Sequence, residues 1–152
     1  GHWGIQDAVW QSHYGDPQEG RAMLEALLVQ SPEDSGRLNA LGFTIVEQGR
    51  DLYEAEVLLR RAYRLDQDAG FIMDSLGWLF FKAGNLQAAD TWTQRALRLR
   101  PQDPEVLYHR GQVEAARGYD GRAKEFYEEA LLLVPTTLLA RKLKSALEGD
   151  QP

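Results

Sequence analysis

The chain repeats itself every 34 residues, and a period of that length admits few folds other than a row of stacked helical hairpins. Gly77 and Gly111 are 34 apart (111 − 77), and the same spacing separates Gly84 from Gly118, Ala89 from Ala123, Ala96 from Ala130 and Pro101 from Pro135. Ala55 and Ala62 extend two of these columns back by another 34, whereas Gly42 and Gly49 lie 35 before Gly77 and Gly84. One extra residue therefore falls between Gly49 and Ala55. That stretch, Gly49-Arg50-Asp51-Leu52-Tyr53, reads as a surface turn, where an insertion costs little.

Each unit carries two amphipathic helices with start and stop signals between them. In the unit that shows this best, Phe71 to Lys82 has apolar residues at 72, 73, 76, 79 and 80, Gly84 suits a left-handed helix end, and Asn85 can cap Leu86 to Leu99 before Pro101 closes the unit. Asp16 before Pro17, and Asp120 after Gly118, mark equivalent entries to second helices. A worn copy precedes these: Gly15 lies 34 before Gly49, Pro32 closes it, and Gly20 stands where the others have alanine, at a cost of about 1 kcal/mol for a helix-interior glycine. Thr137 to Leu147 makes one more amphipathic helix, with Leu138, Leu139 and Leu143 apolar and Arg141, Lys142 and Lys144 polar, and reads as a terminal cap. The expected architecture is all-α, an α-solenoid of antiparallel helix hairpins forming one domain. It comprises a degenerate repeat at 1–34, repeats at 35–69, 70–103 and 104–137, and a capping helix at 138–149.

Composition narrows the chemistry. Cysteine is absent, which removes disulfides, thiolate metal sites and cysteine nucleophiles. Against 23 acidic residues stand 17 basic ones, a net charge of −6 that argues against a nucleic-acid partner. No apolar run approaches the roughly 20 residues a membrane-spanning helix needs. The opening Gly-His-Trp, without a methionine, reads as the start of a fragment of something longer.

Leu76-Gly77-Trp78 with Phe80, Gly84, Ala89, Ala96 and Pro101, and Gly111 with Gly118, Ala123, Tyr127, Ala130 and Pro135, resemble the tetratricopeptide repeat (TPR) pattern over nearly the whole chain. Two helices that cross closely need Gly or Ala at the contact, since a larger side chain would wedge them apart. Arg110, Glu114 and Thr93 depart from the pattern, which has a leucine at the first and aromatic residues at the other two. Leu38-Asn39-Ala40-Leu41-Gly42-Phe43-Thr44 and Asp74-Ser75-Leu76-Gly77-Trp78 also resemble TPR proteins of the bacterial envelope. That resemblance implies a bacterial protein of the adaptor or lipoprotein kind, in the periplasm or, failing export, the cytoplasm.

The resemblance further implies that first helices line an inner groove, at positions that map here to Asn39, Phe43, Glu47, Phe71, Asp74, Trp78, Phe81, Lys82, Tyr108 and Gln112. Aromatic anchors beside amide and acid groups suit a peptide groove, with Trp78 and Phe81 at its centre. The alternative is that these rings pack into the core and the polar members form a solvated helix face. On the second helices Arg60, Arg61, Arg64, Arg95, Arg98 and Arg100 are expected to form a basic stripe, functional or merely solvated. His2, His13 and His109 have no metal or base–nucleophile spacing, and His109 reads as a surface-helix side chain. The expected function is non-catalytic and cofactor-free: a scaffold that binds a protein or peptide in its groove. The alternative is a structural module that self-associates through the ends of its stack.

Overall fold

Left-handed glycines separate the helices of three hairpins: Gly49, Gly84 and Gly118 have φ of 72°, 84° and 90°, a conformation that side-chain-bearing residues resist. The computed structural model describes residues 3–134 and 138–149, and among these the chain is built of α-helices joined by short turns. The helices are α1 (Ile5–Tyr14), α2 (Pro17–Gln30), α3 (Ser35–Gln48), α4 (Leu52–Leu65), α5 (Gly70–Lys82), α6 (Leu86–Leu99), α7 (Pro104–Ala116), α8 (Asp120–Leu133) and α9 (Leu138–Leu147). Pro135 and Thr137, placed by the sequence reading at the repeat end and the start of the cap, lie outside the described residues, as does His2.

Side-chain caps set most starts. The Asp16, Asp34, Asn85 and Asp103 side chains accept backbone N–H groups from the first turns of α2, α3, α6 and α7, and Pro17 and Pro104 occupy the first helical positions. Asp120 stands one place inside α8, whose N-cap is Tyr119. The inserted residue is absorbed at Asp51, which caps α4 at φ 59°, the one positive-φ residue other than glycine among the described residues.

Packing explains the repeated columns. Ala55, Ala62, Ala89, Ala96 and Ala130 are fully buried where the helices of a hairpin cross. A Cβ on Gly42 would come within 2.7 Å of the Leu59 side chain, and one on Gly77 or Gly111 would collide with Thr93 or the Tyr127 ring. Gly20, expected to weaken the worn repeat, has the same role with less latitude. Its Cβ would meet the backbone of Ser12, at 2.6 Å from N and 2.8 Å from Cα, so the glycine lets α1 and α2 approach. A continuous core including Leu24, Leu38, Ile45, Leu59, Ile72 and Leu107 runs through all four hairpins.

Each hairpin packs on the next, and successive first helices touch one another as well, α1 with α3, α3 with α5 and α5 with α7. The first helices thus converge into a concave face. α9 packs on α8 through Leu139, Ala140 and Leu143 and closes one end of that face. No helix among the described residues is long and apolar enough to cross a membrane.

Candidate functional site

The floor of the concave face is an aromatic stack that α3, α5 and α7 build together. His109 on α7 lies against Trp78 on α5 with ring centroids 4.1 Å apart, Phe81 stacks on Trp78 at 4.8 Å with planes 5° apart, and Phe43 of α3 is 6.1 Å from His109. The indole N–H of Trp78 donates to Glu47 Oε1 at 2.7 Å. Lys82 Nζ sits 4.9 Å from the Trp78 ring. Curvature brings side chains from the second and fourth hairpins together across the third.

His109 is buried, not a surface side chain as the helix pattern predicts. Its Nδ1 lies 2.9 and 2.8 Å from the two Asp74 carboxylate oxygens, and its Nε2 lies 3.6 Å from Glu105 Oε2. Burial alone would lower its pKa. The charge and hydrogen bond of Asp74, helped by Glu105 and Glu47, outweigh that, so the pKa is raised and the imidazolium is favoured. With a carboxylate at each nitrogen and 1% of the side chain exposed, the ring is out of reach of a substrate and acts as a cross-brace. Tyr108 next to it accepts a hydrogen bond from Gln112 Nε2 at 2.9 Å, and burial pushes its phenol up to about 12. Among the described residues no group of three or more His, Asp or Glu side chains is arranged to hold a metal.

The ten residues predicted to face the groove separate into three sets. Asn39, Phe43, Phe71 and Asp74 line a cleft of about 680 Å³. Phe81 and Gln112 line a second hollow of about 510 Å³, bounded by α7, α8 and the end of α9. Glu47, Trp78 and Tyr108 lie between the two, with Lys82 capping the Trp78 ring. Trp78, expected as the central anchor, is 3% exposed and belongs to the floor.

The walls of the larger cleft come from segments the sequence reading left out. α1 contributes Ile5, Val9, Trp10, His13 and Tyr14, and α9 contributes Leu138, Leu139 and Lys142. Trp10 and Tyr14 are 58% and 60% exposed, and Phe71 on the cleft floor is 38% exposed. Their signal was the i, i+4 spacing of Trp10 and Tyr14 on a helix of the worn repeat. Lys142 reaches over from α9, its Nζ 3.7 Å from Glu47 Oε2 and 5.9 Å from the Tyr108 ring.

The three departures from the repeat pattern form one polar network between α6 and α7. Arg110 donates to Asp90 at 2.8 Å, to the Thr93 hydroxyl at 3.1 Å and to Glu114 at 2.7 Å, while Arg117 bridges Asp90 and Glu114. Burial would raise the Asp90 pKa, but hydrogen bonds from Gln94 and Arg110 and the charges of Arg110 and Arg117 hold it below the usual carboxylate range. The outer arginines are not a uniform stripe. Arg60 pairs with Glu56, Arg61 donates to the Pro32 carbonyl, Arg95 lies over Trp92 and Arg100 pairs with Asp103.

Helical hairpins at a 34-residue period, small residues at their crossings and a concave face made of first helices are the features of the tetratricopeptide-repeat fold. Over 89 residues the chain is 34% identical to a TPR repeat-containing protein of Pseudomonas aeruginosa, covering 59% of this chain and 15% of that protein. It thus spans about a seventh of that relative's length. In structure it is similar to a thermophilic TPR protein of Thermus thermophilus, with a TM-score of 0.74 and 21% identity, covering 95% of this chain and 82% of the other. It is likewise similar to a chain of the APC/C hetero-tetramer Cut9-Hcn1, with a TM-score of 0.77 and 21% identity over 94% of this chain and 27% of that one. No family model matches the chain.

Proposed function

We propose that this chain is a protein-interaction scaffold that captures a segment of a partner protein in the cleft floored by α3, α5 and α7 and walled by α1 and α9. The observation that carries the reading is the set of exposed rings around one concavity. Trp10, Tyr14 and Phe71 present 58%, 60% and 38% of their surface beside a volume of about 680 Å³. Exposed aromatic surface that converges on a concavity is the usual composition of a binding hot spot, because such rings bury large areas at low entropic cost.

A variant with Trp10, Tyr14 and Phe71 all replaced by alanine tests this. Cross-linking in a lysate of the source cell should yield a protein adduct with the wild type that the triple variant loses, with helicity unchanged by circular dichroism. Light scattering supplies the contrary result: a mass that rises with concentration, and falls back in the triple variant, would make the cleft a self-assembly surface and defeat the reading.

A further inference from the structure

We propose that the segment held in the cleft is apolar and carries a lysine or arginine that docks on the Glu105 carboxylate; this rests on the capture reading above. The inner end of the cleft has Asp74 from α5 and Glu105 from α7 on its lining and Glu47 from α3 beside it, facing the His109 imidazolium and Lys142 of α9. His109 pairs with Asp74 and Lys142 with Glu47, which leaves the Glu105 carboxylate with no cation inside hydrogen-bond distance. Asp103, also on the cleft lining, is engaged by Arg100 at 2.7 Å. Lys82 over Trp78, Tyr108 with its phenol up to about 12, and His13 on the α1 wall complete the titratable and charged groups around this end.

Within that set Glu105 is the carboxylate most open to the cleft, although the surrounding walls desolvate it enough to raise its pKa above the ordinary value. Its side chain is 51% exposed, against 8% for Asp74 and 24% for Glu47. Its 3.6 Å approach to His109 Nε2 is longer than a hydrogen bond, so both oxygens keep accepting capacity. Asn39, on the floor of the same cleft, has its Oδ1 buried with no hydrogen-bond partner among the described residues.

The chain itself displays how this face receives a cation. Lys142 sits between the Glu47 carboxylate and the Tyr108 ring, and the helix that carries it, Leu138–Leu147, has three basic residues and no acidic one beside its buried leucines. A basic, leucine-bearing segment already packs at one end of the concave face. An acidic segment would meet the exposed Glu105 carboxylate instead, which disfavours it through like-charge repulsion.

Three fluorescein-labelled peptides test the charge requirement on the full chain. They share the leucine and alanine positions of α9 and differ only at the three basic sites, which are all lysine, all glutamine or all glutamate. By anisotropy the lysine peptide should bind at least about tenfold more tightly than the glutamate peptide, with the gap narrowing as salt is raised from about 0.02 M to 0.5 M. Glu105→Gln should narrow the gap likewise. Equal binding of lysine and glutamate peptides, or a gap indifferent to Glu105→Gln, overturns the proposal. If Trp10→Ala still weakens the glutamine peptide in that case, the cleft reading survives the loss of the charge reading. Failure of all three peptides to bind overturns the charge proposal, and the cross-linking comparison then decides the capture reading by itself.

Discussion

The imidazole of His109 lies nearly parallel to the indole of Trp78, centroids 4.1 Å and planes 19° apart, while Asp74 grips its Nδ1 at 2.8 Å. A cation against an aromatic face with an anion at its edge stabilises the charged ring in a site where burial alone would neutralise it. The folded-state pKa of His109 is therefore raised above its ordinary value of about 6.5. By linkage, the stability tied to its proton is fully present below about pH 6.5 and is lost as pH rises through the folded pKa. Urea unfolding from pH 6 to 9 should show the wild type losing stability relative to His109→Gln. Parallel curves for the two proteins would contradict a buried imidazolium.

Arg110 is 5% exposed and holds Glu114, 1% exposed, so removing it leaves that buried carboxylate with Arg117 alone within hydrogen-bond distance. Arg110→Ala should cost about 3–5 kcal/mol, whereas Arg110→Leu combined with Glu114→Phe, which restores the residue types of the repeat pattern, should be near neutral. Chemical denaturation of the single and double variants measures the difference. If their losses are equal, the two residues are not coupled.

Two glycine-to-alanine changes should move stability in opposite directions. Gly20→Ala pushes a methyl into the Ser12 backbone and should destabilise by about 1–3 kcal/mol despite alanine's better helix propensity. Gly121→Ala on α8 meets nothing within 4 Å and should stabilise by about 0.5 kcal/mol. Thermal melts of the two variants check both signs.

Asp51 occupies the left-handed region at φ 59° and also pairs with Arg21 at 3.2 Å, with 57% of its side chain exposed. An exposed pair contributes little, so the backbone term decides the outcome. Asp51→Gly should be at least as stable as the wild type, and Asp51→Val should lose about 1–2 kcal/mol. A valine variant as stable as the glycine one would remove the strain argument.

The hairpins, their caps and the small residues at each crossing were legible in the sequence because they obey local rules that recur every 34 residues. The contents of the concave face were not, because curvature is a sum of packing angles and leaves no periodic trace. That curvature brings Phe43 to within 6.1 Å of His109 and turns an apparent surface histidine into a buried one. Thr93, Arg110 and Glu114 read as three separate mismatches, since the hydrogen bond that joins Thr93 to Arg110 spans 17 residues and two helices and leaves no mark in the pattern of either. Trp10 and Tyr14 were passed over because the columns that flag a repeat are worn in the first hairpin.

Lys142 and Glu47 stand 95 positions apart in the chain (142 − 47) yet 3.7 Å apart in space. In an open row of repeats each hairpin feels only its neighbours, and melting can begin at either end and travel inward like a zipper. A side chain thrown from the last helix back to the second hairpin turns that row into a ring of contacts. Fraying at α9 then releases a contact on α3 directly, so the cap helix and the second hairpin report on each other.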